Sequence, residues 1–402
     1  MNFQHASYRM QQSALAAVIK ARPESSQELI HEYGAVHRIP ALLTAHGKQR
    51  ILLVTTAGML RRGSLDGLLE ELKEKAIHCV TFTDLTPDPT VEQVENGVYL
   101  FLQNHCEAIV AIGGGSVLDC AKIIGARIAQ PKKSVAQMEG VLKIRAKLPL
   151  MIAVPTTAGT GSEVTVAAVI TDEKEQYKHA ISDFCLEPDV AILDPILTLS
   201  LPQHTTAYSG LDAMTHAVEA YTNRYSAERF RKHARKAVRL IHHYLPLVVL
   251  DPEDVVARDQ MLVASYEAGI AFTNAFVGYV HAIAHGIGGL YHVPHGLACA
   301  VLLPKVMESY GKAVYEPLAE LADFIGLNES GESKEEKARA FIKRLYDLND
   351  LLGIPKNFPN VKEEDIPELA RRAIAEANPG YPVPVIWSQQ EMADHIRAYC
   401  IG

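Results

Sequence analysis

From Ile51 onward, the first half of the chain alternates short apolar runs with longer amphipathic stretches. ILLV (51–54), CVTF (79–82), AIVAI (108–112), LMIAV (150–154), VAAVIT (166–171) and VAIL (190–193) have the length and apolar, β-branched content of buried strands. SLDGLLEELKEKAI (64–77) and TVEQVENGVYLFLQNH (90–105) instead space their apolar residues as a helix does. Buried strands separated by amphipathic helices predict βαβ units and a parallel sheet. After Pro195 the pattern changes to helix after helix, as in HARKAVRLIHHYLPLVVL, DQMLVASYEAGIAF, YEPLAELADFIG, EEKARAFIKRLYDLNDLLG and IPELARRAIAEA. The change predicts two domains, an α/β domain over 1–197 and an all-α helical domain over 198–402, with the boundary near Leu197–Pro202. Residues 1–25 are weakly patterned, and QQSALAAVIKAR predicts a short amphipathic helix ahead of Pro23. No internal repeat or low-complexity tract is visible.

Composition adds limits rather than identity. With 402 residues, the chain is long enough for two cores, and 48% hydrophobic with 21% charged residues is ordinary for a globular protein. A net charge of −8 argues against a nucleic-acid or anionic-membrane partner. The basic run RFRKHARKAVR (229–239) reads as a solvated helix face. Six scattered cysteines without a CxxC pair predict reduced thiols in a cytoplasmic protein. No run reaches the roughly 18 apolar residues of a membrane span, and no secretory signal is evident.

Four stretches carry chemistry. In AIGGGSVLDCAK (111–122) a strand ends on three glycines and a helix follows. Bare amides at a helix start suit a pyrophosphate, although a tight βα turn needs the same glycines. Ser116 with Asp119 three residues on predicts a capping box. In VPTTAGTGSEVT (154–165), Thr156, Thr157 and Thr160 offer hydroxyls after another buried strand. Such paired turns are expected where a nucleotide crosses the carboxyl edge of a parallel sheet, and a hydrated loop is the plain alternative. GLDAMTHAVEAYTN (210–223) sets Asp212 and His216 four apart, as ligands on one helical face or as a simple ion pair.

The fourth stretch, Gly278–Gly296, places four histidines and five glycines in GYVHAIAHGIGGLYHVPHG. His281 and His285 share a helical face, while the glycines and Pro294 predict a break that returns His295 from the next turn or helix. Asp212 and His216 with His281 and His295 make one carboxylate and three imidazoles. That set suits zinc, iron(II), nickel or cobalt better than magnesium or calcium. The zinc-protease HExxH reading fails, because position 282 is Ala.

GGGSxxDxAK, PTTAGTGSEVT, GLDAxTHAxEAY and HxxxHxxGxxYxxPHG, in this order, resemble the iron-dependent (group III) alcohol dehydrogenase family from about residue 30 to 400. The resemblance implies a dehydroquinate synthase-like architecture: a Rossmann-like α/β N-terminal domain, an all-α C-terminal helical domain, and a metal in the cleft between them. It maps the metal ligands onto Asp212, His216, His281 and His295. It makes His285 a catalytic-site histidine, either a proton relay or a shaper of the pocket. His242, His243 and His292 match no ligand position. Cofactor contacts map onto Gly114, Gly115, Ser116, Thr156, Thr157, Thr160 and Lys178. Two positions depart from the pattern. Where NAD-preferring members carry VTD, this chain has Val54-Thr55-Thr56 followed by Arg61 and Arg62, and Pro87-Asp88-Pro89-Thr90 replaces PNPT. A neutral Thr56 removes the charge that repels a 2′-phosphate, so NADP is expected to be accepted, with Thr56 and Asp88 among the cofactor contacts.

The implied activity is metal-dependent hydride transfer between a small primary or secondary alcohol, or its aldehyde or ketone, and NAD or NADP. The metal is Fe2+ or Zn2+. The implied pocket, around Ala167, Phe272 and Phe276, is mostly apolar. Glycerol dehydrogenase, hydroxyacid–oxoacid transhydrogenase and dehydroquinate synthase-like lyase activities on the same scaffold are the alternatives. A homodimer or larger homo-oligomer is expected.

Overall fold

The computed structural model describes residues 3–21, 25–173, 177–327 and 332–401. Pro23, expected to follow the first helix, lies outside the described residues. The chain divides into two compact units, Ser25–Leu201 and a second one that joins the N-terminal segment to everything from Pro202 onward.

In the first unit, β1 (Glu28–His31), β2 (Arg50–Thr55), β3 (His78–Phe82), β4 (Ala108–Gly113), β6 (Leu150–Pro155) and β9 (Val190–Leu193) form a sheet ordered β1-β9-β6-β4-β2-β3. All five pairings in it are parallel. Successive side chains of a strand point to opposite faces, and here both faces are buried. Leu52, Val54, Ile109 and Ala111 enter one core, which the helix Gly115–Ala129 covers with Val117, Leu118, Ala121 and Ile124. Ile51, Leu53, Val110 and Ile112 enter the other, against Ile39, Leu43, Leu68 and Leu72. The continuous apolar runs of the sequence are therefore strands sandwiched between helices.

The VAAVIT segment departs from the expected parallel sheet. It forms β7 (Ala167–Asp172), which pairs antiparallel with β8 (Tyr177–Ser182) in a separate sheet ordered β5-β8-β7, where β5 is Gly140–Val141. The sequence pattern missed β1, β5 and β8. β1 is an edge strand with an exposed Glu28 and Leu29, and β5 has two residues, so neither shows a buried-strand periodicity.

Among the described residues, the regular structure of the second unit is all helix. The helix Gln203–Thr222 is its axis, with every residue from Gly210 to Thr222 buried. An all-round buried helix must satisfy its polar side chains internally, which marks its acids and histidines as paired or ligand-bearing. The helices Glu228–Leu250, Val255–Ala275 and His295–Tyr310 pack against it. The basic run on Glu228–Leu250 is tied down: Arg231 pairs with Glu320, Lys236 with Glu267 and Arg235 with Glu228.

The first helix, Phe3–Ala21, corrects the expected domain limits. It belongs with the helical unit and not with the α/β one, which begins at Ser25. Gln12 Nε2 donates to the Tyr381 carbonyl at 2.8 Å, and Arg9 donates to the Val383 and Pro384 carbonyls at 2.7 and 3.1 Å. These carbonyls sit in a stretch without regular structure, so they take partners from side chains. No single helix among the described residues is long and apolar enough to cross a membrane.

Candidate functional site

A glycine-rich turn and a threonine-rich loop leave adjacent strands of the parallel sheet. β4 and β6 are neighbours in a register that sets Gly113 opposite Pro155, and Thr156 N donates to the Gly113 carbonyl at 2.9 Å. The loops interlock beyond that point. A Cβ on Gly115 would lie 2.4 Å from Thr160 Cγ2, and one on Gly114 would lie 3.3 Å from Thr157 Cγ2. Glycine is needed here for close approach, and it leaves the start of the Gly115–Ala129 helix lined by threonine hydroxyls. That end, with its uncapped amides, is suited to an anion.

The expected capping box is absent. Gly114 is the N-cap, and Ser116, inside the helix, donates its hydroxyl to the Pro87 carbonyl. Asp119 turns inward instead: its carboxylate accepts from Ser162 Oγ at 2.6 Å and Val169 N at 2.9 Å. The buried Lys122 ammonium donates to the carbonyls of Thr165 and Ala167 at 2.8 and 3.0 Å. These two side chains tie the helix to the second loop. Lys178 and Asp88, both expected cofactor contacts, pair with each other at 2.6 Å. Thr56 caps the short helix Ala57–Arg61 by accepting from Met59 N at 3.2 Å, and Arg61 and Arg62 beyond it are exposed.

In the helical unit, three helices converge on one carboxylate. Asp212, His216 and Glu219 occupy i, i+4 and i+7 of the Gln203–Thr222 helix and so form one stripe. The helix Tyr279–Tyr291 brings His281 and His285. It ends at His292, whose left-handed backbone (φ 55°) turns the chain. The next helix begins at His295 itself, with Pro294 as its N-cap. Gly296 then lets this helix close on its neighbour, since a Cβ there would lie 2.3 Å from the Tyr208 carbonyl oxygen.

Asp212 Oδ1 lies 3.4 Å from His295 Nε2 and 3.8 Å from His281 Nε2, and Asp212 Oδ2 lies 4.0 Å from His216 Nδ1. The His216 ring stacks on His281 with centroids 4.5 Å apart, and on Phe272 at 4.1 Å from its other side. Asp212 Oδ1, His216 Nδ1 and His281 Nε2 are buried, with no hydrogen-bond partner among the described residues. Orphaned buried donors and acceptors are costly, and this arrangement suits a cation: Asp212 Oδ1 faces His281 Nε2, while His216 Nδ1 lies toward the other carboxylate oxygen. The residues present therefore fit a divalent metal. Access is one-sided: the His295 side chain is 37% exposed, against 4% for Asp212.

The electrostatics agree with that chemistry. Burial alone would raise the Asp212 carboxyl, but His216 and His295 beside it hold it well below the usual carboxylate range. Burial, joined by neighbouring imidazoles, lowers His216 and His281 to about 3. A charged carboxylate and neutral imidazoles are the forms that bind metals.

Carboxylates behind the cage aim it. Glu219 Oε2 lies 2.6 Å from His281 Nδ1, and Glu219 Oε1 accepts from Val280 N at 2.8 Å. With Nδ1 so engaged, His281 presents Nε2 to Asp212. His285 stacks on His295 at 5.1 Å, and its Nδ1 lies 2.8 Å from Glu376 Oε1, which also accepts from Tyr381 Oη at 3.0 Å.

The same folds and motifs occur in known proteins. Residues 26–195 match the family described as iron-containing alcohol dehydrogenase, and residues 206–400 match the C-terminal part of the Fe-containing alcohol dehydrogenase family. The chain belongs to the iron-containing alcohol dehydrogenase family. It is 39% identical to the 1,3-propanediol dehydrogenase of Citrobacter freundii over 87% of this chain and 91% of that one. Identity to the NAD-dependent methanol dehydrogenase of Bacillus methanolicus is 38%, over 85% and 90%. A solved 1,3-propanediol oxidoreductase superposes with a TM-score of 0.89 at 36% identity, covering 92% of this chain and 97% of the other. As a member of this family, the protein is an oxidoreductase acting on CH–OH groups.

Three participants escaped the sequence reading. Glu219 stands in the quoted motif, and its i+7 position on the Asp212 stripe of a buried helix was the available sign. Glu376 lies about ninety residues from His285 and left no local trace. Cys299 follows His295 by one turn, and its Sγ is 3.6 Å from His295 Nε2. Burial pushes its thiol well above the ordinary range, with Asp212 and Glu219 adding to the effect. His242, which matches no ligand position, accepts from Arg344 Nε at 2.8 Å.

Proposed function

We propose that Asp212, His216, His281 and His295 hold a divalent metal, Fe2+ or Zn2+, and that the chain uses it to interconvert small, mostly apolar alcohols with their aldehydes or ketones. The observation that carries this reading is the meeting of the orphaned Asp212 Oδ1 and His281 Nε2, 3.8 Å apart, beside His295. When bound, the metal supplies Lewis-acid charge to the substrate oxygen, and the nicotinamide cofactor supplies or takes the hydride.

The chain's own residues do the rest. Glu219 fixes the tautomer and direction of His281. Phe272 backs His216 and provides apolar surface beside the cage. His285, held by Glu376 and stacked on His295, is placed to hold or pass a proton at its ring nitrogens. Gly114, Gly115 and Ser116 cradle the cofactor phosphates at the helix start, while Thr156, Thr157, Thr160, Asp88 and Lys178 contact the remainder. Thr56 carries no charge against a 2′-phosphate, so NADP is accepted along with NAD. The expected setting is the cytoplasm and the expected state a homo-oligomer.

The test combines metal analysis of the purified protein with NADH and NADPH oxidation over an aldehyde panel. Asp212→Ala should lose both the bound metal and turnover. Full activity of metal-free protein would overturn the mechanism. Turnover without net change in cofactor absorbance would favour the lyase or transhydrogenase alternatives.

A further inference from the structure

Cys299 is fully buried, one helical turn after His295 on the helix His295–Tyr310. One donor atom each from Asp212, His281, His295 and Cys299 lie within 4.8 Å of one another. Two of the facing atoms, Asp212 Oδ1 and His281 Nε2, are buried and unpartnered. Oxygen, nitrogen and sulphur donors about 2.0–2.3 Å from one shared ion sit roughly 2.8–4.6 Å apart, whether four or five of them bind. Cys299 Sγ is 3.6 Å from His295 Nε2, and Asp212 Oδ1 is 3.4 Å from the same atom. Cys299 Sγ thus lies at ligand spacing from His295 Nε2 and within 4.8 Å of the Asp212 and His281 donor atoms.

We propose that the Cys299 sulphur is a direct ligand of the divalent ion, adding a soft donor to the oxygen and nitrogen set as its S–H proton is released to solvent on metal binding. The proposal rests on the metal cage described under Proposed function. A sulphur ligand tilts the site toward zinc and cobalt and further away from magnesium and manganese.

The experiment loads metal-free protein with one equivalent of Zn2+ alone or Co2+ alone. X-ray absorption at the zinc edge of the wild-type protein should show a sulphur scatterer at about 2.3 Å beside nitrogen and oxygen at about 2.0–2.1 Å. The cobalt form should show a near-ultraviolet sulphur-to-cobalt charge-transfer band. Cys299→Ser should lose that band while still binding one cobalt, and its Zn2+ affinity in chelator competition should fall about tenfold or more. A shell of nitrogen and oxygen only, with one ion bound and binding abolished by Asp212→Ala, overturns the sulphur ligand and leaves the cage intact. Binding that ignores Asp212→Ala, or no binding of either ion, overturns both. The wild-type absorption spectrum decides the matter even if Cys299→Ser fails to fold.

Discussion

His281 Nδ1 lies 2.6 Å from Glu219 Oε2, so the imidazole that faces Asp212 is aimed from behind by a carboxylate on the same helix as Asp212. Both residues are almost fully buried, and Gly278 makes room for the acid, since a Cβ there would lie 2.8 Å from Glu219 Oε1. One helix thus supplies a proposed ligand and the carboxylate that orients the imidazole facing it.

Glu219→Gln keeps the side chain's volume but weakens this hold. Metal affinity, measured by chelator competition, should fall about 10–100-fold, as for other carboxylates behind metal-bound histidines. The folded structure should survive by circular dichroism. Unchanged affinity would reduce Glu219 to a helix cap.

The buried imidazoles make the metal-free protein sensitive to acid. His216 is lowered to about 3 in the folded chain from an ordinary 6.5. Between those values the unfolded chain carries the extra proton, so the stability contributed by His216 is complete above about 6.5 and is lost as pH falls toward 3. Glu219, raised by burial to about 7, acts in the opposite direction between 4.5 and 7. Replacing His216 with Gln therefore removes one proton from the pH slope. Urea unfolding of metal-free protein between pH 4.5 and 6.5 should show a slope shallower by about 1.4 kcal/mol per pH unit.

At Gly296 the helices His295–Tyr310 and Gln203–Thr222 meet closely. Gly296→Ala places a methyl against the Tyr208 carbonyl, a backbone atom that cannot step aside. The cost should be about 1–3 kcal/mol in denaturant unfolding. Because His295 is the adjacent residue, metal affinity should fall as well. Loss of stability with full metal affinity would show that the contact holds the helices without setting the ligand.

Thr56 tests cofactor choice. Asp caps a helix as well as Thr does, so Thr56→Asp should leave the Ala57–Arg61 turn folded. The new carboxylate would bond ribose hydroxyls and repel a 2′-phosphate. The ratio of kcat/KM for NADPH over NADH should fall at least about tenfold. An unchanged ratio would remove Thr56 from the specificity region.

Much of the molecule follows from local pattern. The βαβ strands, the glycine-rich turn and the threonine-rich loop, the change to helices near Pro202, and the four-residue spacings of Asp212–His216 and His281–His285 are set within a few residues of chain, so periodicity reveals them. The turn that returns His295 is equally local, since it needs only His292 and Pro294; Gly286, Gly288 and Gly289, expected to break the helix, lie inside Tyr279–Tyr291. Other features depend on partners far along the chain. The docking of the first helix on Tyr381–Pro384 and the inward turn of Asp119 toward Ser162 and Val169 arise from hydrogen bonds that span long sequence distances, whereas β7 leaves the parallel sheet to pair with its near neighbour β8. At the site, sequence spacing places Asp212 and His216 on one helical face but does not set the gap between helices. That gap is set by the missing side chain at Gly296, and it is what brings His295, and with it Cys299, within reach of Asp212.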